Sequence, residues 1–224
     1  MGVELVGLIG FWVVSIIHMV GETLATEIKQ KVRHITKPFL MPLLLLYYFL
    51  GSTNLNGLII GGILLGWVGD VVLMFPEKPP MFIIGLGSFL LGHILYVIAF
   101  IAPTDNFGLV PGWFYALIIV FLGAFYVILK HFKPHLKDMT IPVVVYMLLI
   151  LTMSYTSLAI VVAGGGEALG GASAPWLLFI GSLCFIASDF MLATQLFIGK
   201  KKYDQVFIML TYLLAQFFIV QGFF

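Results

Sequence analysis

Charge is what this sequence has least of. Asp, Glu, Lys and Arg make up 9% of its 224 residues, against about 25% in an ordinary soluble domain. Hydrophobic residues make up 62%, and mean hydropathy is +1.14. The apolar excess runs the whole length, which excludes a soluble domain on one anchor and implies a polytopic membrane protein. Cysteine is almost missing too. Cys184 stands alone, so no disulfide forms within the chain and no zinc–cysteine cluster can be built. The start, "MGVELVGLIG", lacks a basic segment and carries Glu4. It reads as a first spanning helix rather than a cleaved signal peptide. A net charge of +1 gives no footing for nucleic acid.

What is present is a series of apolar runs. A spanning helix needs about 20 mostly apolar residues. Eight segments answer to that, near 3–21, 37–50, 57–75, 81–102, 110–130, 141–163, 175–198 and 205–223. The expected fold is all-α, one transmembrane domain over 1–224 with eight helices. The second run is short, and Lys37 can snorkel to lengthen it. "GSTNLN" (51–56) and "PEKPP" (76–80) are turn chemistry. "GGGEALGGASAP" (164–175) is a flexible loop without a phosphate-binding pattern. All eleven Lys and Arg residues fall in or beside the loops after helices 1, 3, 5 and 7. The positive-inside rule makes those loops cytoplasmic and leaves both termini outside. So bare an eight-helix design suits a bacterial inner membrane.

A faint parallel 4+4 repeat runs through the chain. "KPFLMP" (37–42) opens the second helix and "KDMTIP" (137–142) the sixth. "VGDVVLMF" closes the third, and "ASDFMLAT" lies in the seventh. Chance similarity between apolar helices is the competing explanation.

Against this background the ionisable residues stand out. Each one inside a span costs about 2.5–3.5 kcal/mol on insertion scales and marks a functional site by default. They are Asp70 in helix 3, Asp189 in helix 7 and His93 in helix 4, with His18, Glu22 and Lys37 near the inner ends of helices 1 and 2. Asp70 precedes Pro76 by six residues, about 9 Å of helix, and Asp189 precedes Lys200 by eleven, about 16 Å. Both therefore lie in the inner half of the bilayer, a level that Glu22 and Lys37 approach from the cytoplasmic side. Two carboxylates at shared depth repel, so one can hold its proton while the other stays ionised. That is an acid/base pair in outline. The bland alternatives are helix–helix hydrogen bonding for the aspartates, anchoring for Lys37, and core packing for His93. Tyr96, Tyr146, Tyr155, Tyr212 and Gln216 are further hydrogen-bonding groups that packing alone also explains. Metal is not called for: a catalytic zinc usually takes three protein ligands, and no histidine spacing supplies them.

The runs "TKPFLMP", "GWVGDVVLMF", "FIIGLGSFLLGHILYVIAF", "CFIASDFMLATQLF" and "YLLAQFFIVQG", in this order, resemble the YhhN family of integral membrane proteins. The resemblance covers Lys37 to Gln216. Characterised members are lysoplasmalogenases. The resemblance implies that the Gly-Asp acid, Asp70, and the Ser-Asp acid, Asp189, are the catalytic pair. Lys37, His93, Tyr96, Tyr212 and Gln216 match other polar positions of the family and are expected to hold substrate. It implies hydrolysis of the vinyl ether of a 1-alkenyl lysophospholipid, giving a fatty aldehyde and glycerophosphoethanolamine or glycerophosphocholine. Paired carboxylates suit such oxocarbenium chemistry, and it requires no cofactor. Lys37, with Arg33 or Lys130, would then meet the phosphate, and Glu22 the headgroup amine. Asp189, the deeper acid, would be the proton donor and Asp70 the base. Three rival readings use the same residues: a proton-coupled transporter with an aspartate relay, a metal-dependent lipid hydrolase, and a non-catalytic lipid-binding scaffold.

Overall fold

The computed structural model describes residues 2–75, 79–101, 110–164 and 174–224. Among them there is no strand. Eight α-helices follow in chain order: α1 (Glu4–Thr23), α2 (Thr26–Gly51), α3 (Gly57–Val72), α4 (Pro79–Ile101), α5 (Ile118–Leu136), α6 (Thr140–Val162), α7 (Pro175–Ala193) and α8 (Asp204–Gly222). A helix thus stands at each expected segment. Among the described residues, five stretches are long and apolar enough to cross a membrane: Glu4–Thr23, Met81–Ile101, Gly112–Val162, Pro175–Ile198 and Asp204–Gly222. The third of these contains both α5 and α6, divided by a turn in which Lys137 takes a φ of 46°.

One boundary differs markedly from expectation. The second helix starts at Thr26, not near Lys37. The basic segment read as a loop is instead its first third. Glu27, Lys29, Gln30, Lys31 and Arg33 are good helix formers, and the carboxylate of Glu22 on α1 draws two of the cations inward. Only Leu24 and Ala25 separate α1 from α2. The matched segments of the supposed repeat therefore sit differently. Pro42 lies deep inside α2, whereas Pro142 lies in the first turn of α6. At the next turn the expectation agrees with the structure. Residues 52–56 connect α2 to α3, and Asn56 caps α3 by accepting from the amides of Leu58 at 2.9 Å and Ile59 at 3.3 Å. Most of "PEKPP" and of the glycine-rich loop lies outside the described residues.

The chain divides into two units, residues 1–96 with 223–224, and residues 97–222. In the first, α1 packs along α2, and α2 along α3. Small residues let α4 approach α3: a Cβ on Gly62 would clash with the Tyr96 ring, and one on Gly92 would lie 3.1 Å from the Gly62 carbonyl. The last residue stacks its ring on Tyr47, with centroids 4.7 Å apart. In the second unit α7 packs along α8 and α6 along α7. At Gly181 an added Cβ would lie 3.0 Å from the Ala215 carbonyl, so α7 and α8 touch nearly backbone to backbone. Ser154, Ser157 and Ser182 are fully buried and bond to one another between α6 and α7. In lipid such hydroxyls hold helices together where apolar packing alone gives little preference.

Candidate functional site

In the first unit the polar residues cluster on α2 and α3. Lys37 Nζ donates to Asp70 Oδ1 at 3.0 Å. The side chains are 12% and 5% exposed. Asp70 Oδ2 is buried and has no hydrogen-bond partner among the described residues. A carboxylate held this way has one oxygen on a cation and the other available to a water proton or a developing positive charge.

Trp67 supports the arrangement one turn away. It stands three residues before Asp70, on the same face of α3, and its indole Nε1 donates to the Pro38 carbonyl at 2.9 Å. Pro42 lies four residues after Pro38 inside α2, and proline has no amide hydrogen for that carbonyl. The indole supplies a donor where the helix cannot. Trp67 and Asp70 thus grip consecutive residues of α2, Pro38 and Lys37. Sequence reasoning gave Trp67 no role. The available signal was a Pro-x-x-x-Pro spacing in one helix and a tryptophan one turn from a buried acid in the next.

His93 and Tyr96, on α4, are buried. His93 Nδ1 lies 2.7 Å from the Phe89 carbonyl. A carbonyl only accepts, so Nδ1 carries the hydrogen, and in a neutral ring Nε2 is the acceptor. The two rings meet edge to face, with centroids 6.3 Å apart.

Glu22 forms a second cluster at the α1–α2 junction. Arg33 grips it with two bonds of 2.7 Å, from Nε and a terminal nitrogen. Lys29 Nζ lies 2.7 Å from Oε2 and also donates to the Glu22 backbone carbonyl at 3.1 Å. That second bond serves one of the last carbonyls of α1, where a cation is favoured. His18 adds a link: its Nδ1 lies 2.6 Å from Thr36 Oγ1. The single Thr36 hydroxyl hydrogen goes to the Val32 carbonyl at 2.7 Å, so His18 is the donor in that pair. Both Glu22 oxygens and Arg33 are therefore engaged with each other, and Lys37 is engaged with Asp70.

In the second unit Asp189, partly buried on α7, accepts from the Tyr146 hydroxyl of α6 at 2.8 Å on Oδ2. Its neighbour Ser188 donates to the Ile208 carbonyl of α8 at 3.1 Å, which fixes α7 against α8 beside the acid. One turn later α7 passes into a π-helical turn, Thr194–Ile198, a distortion frequent at functional sites. On α8, Gln216 Nε2 donates to Tyr212 Oη at 3.4 Å, and both residues are buried. The structure thus groups Lys37 with Asp70, Glu22 with Lys29 and Arg33, His93 with Tyr96, and Tyr212 with Gln216, while giving Asp189 a phenol. Among the described residues no three of His, Cys, Asp and Glu gather where one metal ion could sit.

A run of apolar helices carrying two carboxylates, Asp70 on a lysine and Asp189 on a tyrosine, defines a multi-pass helical membrane protein. Residues 32–223 match the model of the YhhN family, and the chain belongs to that family. It is 32% identical over 184 residues to "Lysoplasmalogenase TMEM86B" of Homo sapiens, covering 80% of this chain and 70% of that one. It is 32% identical over 168 residues to a "Lysoplasmalogenase" of Mycobacterium tuberculosis, covering 74% and 60%. The rat protein of the first name is 30% identical over 180 residues, covering 78% and 66%. No solved structure matches the chain.

Proposed function

We propose that this protein is a lysoplasmalogenase that uses Asp70 and Asp189 as an acid/base pair. The observation that carries the reading is the run of relatives bearing that name across most of the chain, on a sequence that bears the cost of two aspartates inside apolar helices. The substrate is a 1-alkenyl lysophospholipid. Asp189, whose partner is a neutral phenol, delivers a proton to the β-carbon of the vinyl ether. The α-carbon becomes an oxocarbenium ion. Asp70, kept next to an ammonium, takes a proton from water as its oxygen bonds to that carbon. The resulting hemiacetal collapses: Asp70 gives its proton to the glycerol oxygen as the C–O bond to glycerol breaks, the hemiacetal hydroxyl gives its proton back to Asp189, and the aldehyde leaves. One water is consumed and the acids return to their starting states.

The membrane setting follows the same logic. Eight crossings with both termini outside put every basic segment on the cytoplasmic side. Helix α2 supports this, since its 26 residues span about 39 Å, more than the ~30 Å hydrocarbon core. Its basic first third stands in the headgroup layer. Substrate enters from the inner leaflet into one transmembrane domain, in a bacterial inner membrane. An ammonium has three donors, so Lys37 keeps two for a phosphate oxygen after its bond to Asp70. His93, Tyr96, Tyr212 and Gln216 are the remaining polar contacts for the glycerol and the water. Glu22, with both oxygens on cations, holds the basic face of α2 in place.

The test is aldehyde release from lysoplasmenylethanolamine by purified protein in detergent, with and without EDTA, beside Asp70→Asn and Asp189→Asn. The reading requires release that survives EDTA and disappears in each variant. No release from folded wild type, or full activity in either variant, overturns it.

A further inference from the structure

The geometry points to Trp67 as a positioning residue of the reaction: by bonding the carbonyl that Pro42 strands, it sets the α2–α3 register at which Lys37 meets Asp70. This inference rests on the function proposed above for Asp70.

Four observations converge. Pro42 cannot bond to the Pro38 carbonyl, so that carbonyl sits inside an apolar helix layer needing a donor. Trp67 Nε1 provides it at 2.9 Å. Lys37, adjacent to Pro38, reaches Asp70 at 3.0 Å, and Asp70 stands one turn from Trp67 on the same face of α3. Asp70 Oδ2 is left buried without a partner among the described residues, which is where a reacting water or cation would be met.

The two bonds are mechanically linked. If α2 slides or rotates against α3, the indole bond and the ammonium–carboxylate pair are disturbed together. The indole bond is directional and joins backbone to a bulky, half-buried ring. The lysine is a flexible chain with a rotatable head. The rigid bond therefore fixes the register, and the flexible one follows it. Trp67 need not touch substrate. Its effect reaches the reaction through the placement of Asp70.

The experiment removes the N–H and keeps the ring. Trp67→Phe is made in wild type and in Lys37→Met, and Trp67 is also replaced by 3-benzothienylalanine, which carries sulfur in place of the indole N–H. Aldehyde release from lysoplasmenylethanolamine gives kcat and KM. In wild type both replacements should lower kcat about tenfold, with KM within about twofold, as expected for a misplaced reacting group. In Lys37→Met, Trp67→Phe should cause little further loss, because both act through one carboxylate. A second readout does not depend on turnover. Acetic anhydride labelling of Lys37, measured by mass spectrometry against exposed Lys31, should rise several-fold when Trp67 loses its N–H. Unchanged kcat in the benzothienyl protein, an equal loss in both backgrounds, or unchanged Lys37 labelling overturns the role of Trp67. Wild type without aldehyde release instead overturns the function proposed above. The labelling then still decides whether Trp67 holds Lys37 on Asp70.

Discussion

Lys37 Nζ lies 3.0 Å from Asp70 Oδ1, and the two side chains are 12% and 5% exposed. The pair joins α2 to α3 where the basic segment of α2 gives way to an apolar run. Taking one partner away leaves the other buried and uncompensated, which typically costs about 3–5 kcal/mol. Lys37→Met should therefore lower both thermal stability and activity, with kcat down about 10²-fold if Asp70 must be held as a carboxylate. Lys37→Arg keeps the charge and should retain much of the stability. Its planar fork should still reduce kcat, because it meets the carboxylate with a different geometry. Melting temperatures in detergent alongside kcat check this. Equal activity in all three proteins would remove Lys37 from the site.

Tyr146 holds Asp189 through one bond of 2.8 Å. Its hydroxyl donates to Oδ2 of that acid. Hydrogen bonds to charged groups contribute about 1.5–3 kcal/mol net, so Tyr146→Phe should lower kcat by roughly 10- to 100-fold if the bond matters in the transition state. KM should move little, since the phenol is assigned to the acid and not to the lipid. A rise in KM with kcat unchanged would make Tyr146 a substrate contact.

Much of this was legible in the residues, for definite reasons. Asp70 and Asp189 stand out because an acid inside an apolar helix carries a cost that few residues in this sequence bear. The eight helices show because nearly every apolar run is long and its ends carry Gly, Pro or Lys. The start of α2 did not show. A basic stretch such as "EIKQKVRHITK" reads equally as a cytoplasmic loop or as a solvated helix. What decides is Glu22, eleven residues before Arg33 in sequence but 2.7 Å from it in space. The pairing of Lys37 with Asp70 was equally invisible, because residues 33 apart meet only once the α2–α3 register is known. Trp67 was passed over because tryptophan in a membrane helix normally needs no explanation. Its partner is a backbone carbonyl, which no side-chain pattern reveals.

Gly62 gives a packing prediction in the first unit. A Cβ there would run into the Tyr96 ring, and the Gly62 carbonyl is already close to Gly92. Gly62→Val should push α4 off α3, with overpacking of about 1–3 kcal/mol. Gly87, where an added Cβ meets nothing within 4 Å, is the control. Gly87→Ala should leave the melting temperature within a degree or two, or raise it slightly, because alanine favours the helix by about 1 kcal/mol. Equal melting temperatures for the Gly62 and Gly87 variants would mean that α3 and α4 do not pack as tightly as their glycines imply.

Glu22 separates a structural role from a headgroup role. Its carboxylate accepts two bonds from Arg33 and lies 2.7 Å from Lys29 Nζ, and its side chain is 1% exposed. Glu22→Gln keeps the shape but leaves two neighbouring cations without their counter-charge. Those cations are 18% and 26% exposed, so they can turn toward water, and the loss should fall below the 3–5 kcal/mol of a fully buried broken pair, to about 1–3 kcal/mol. The melting temperature in detergent should drop accordingly. Discrimination between ethanolamine and choline substrates should not change, because both carboxylate oxygens already serve the protein's own cations. Measuring kcat/KM for the two lysoplasmalogens in wild type and Glu22→Gln decides the matter. If the ratio shifts tenfold or more, a difference of about 1.4 kcal/mol in recognition, Glu22 reads the headgroup amine and the cations must release it when substrate binds.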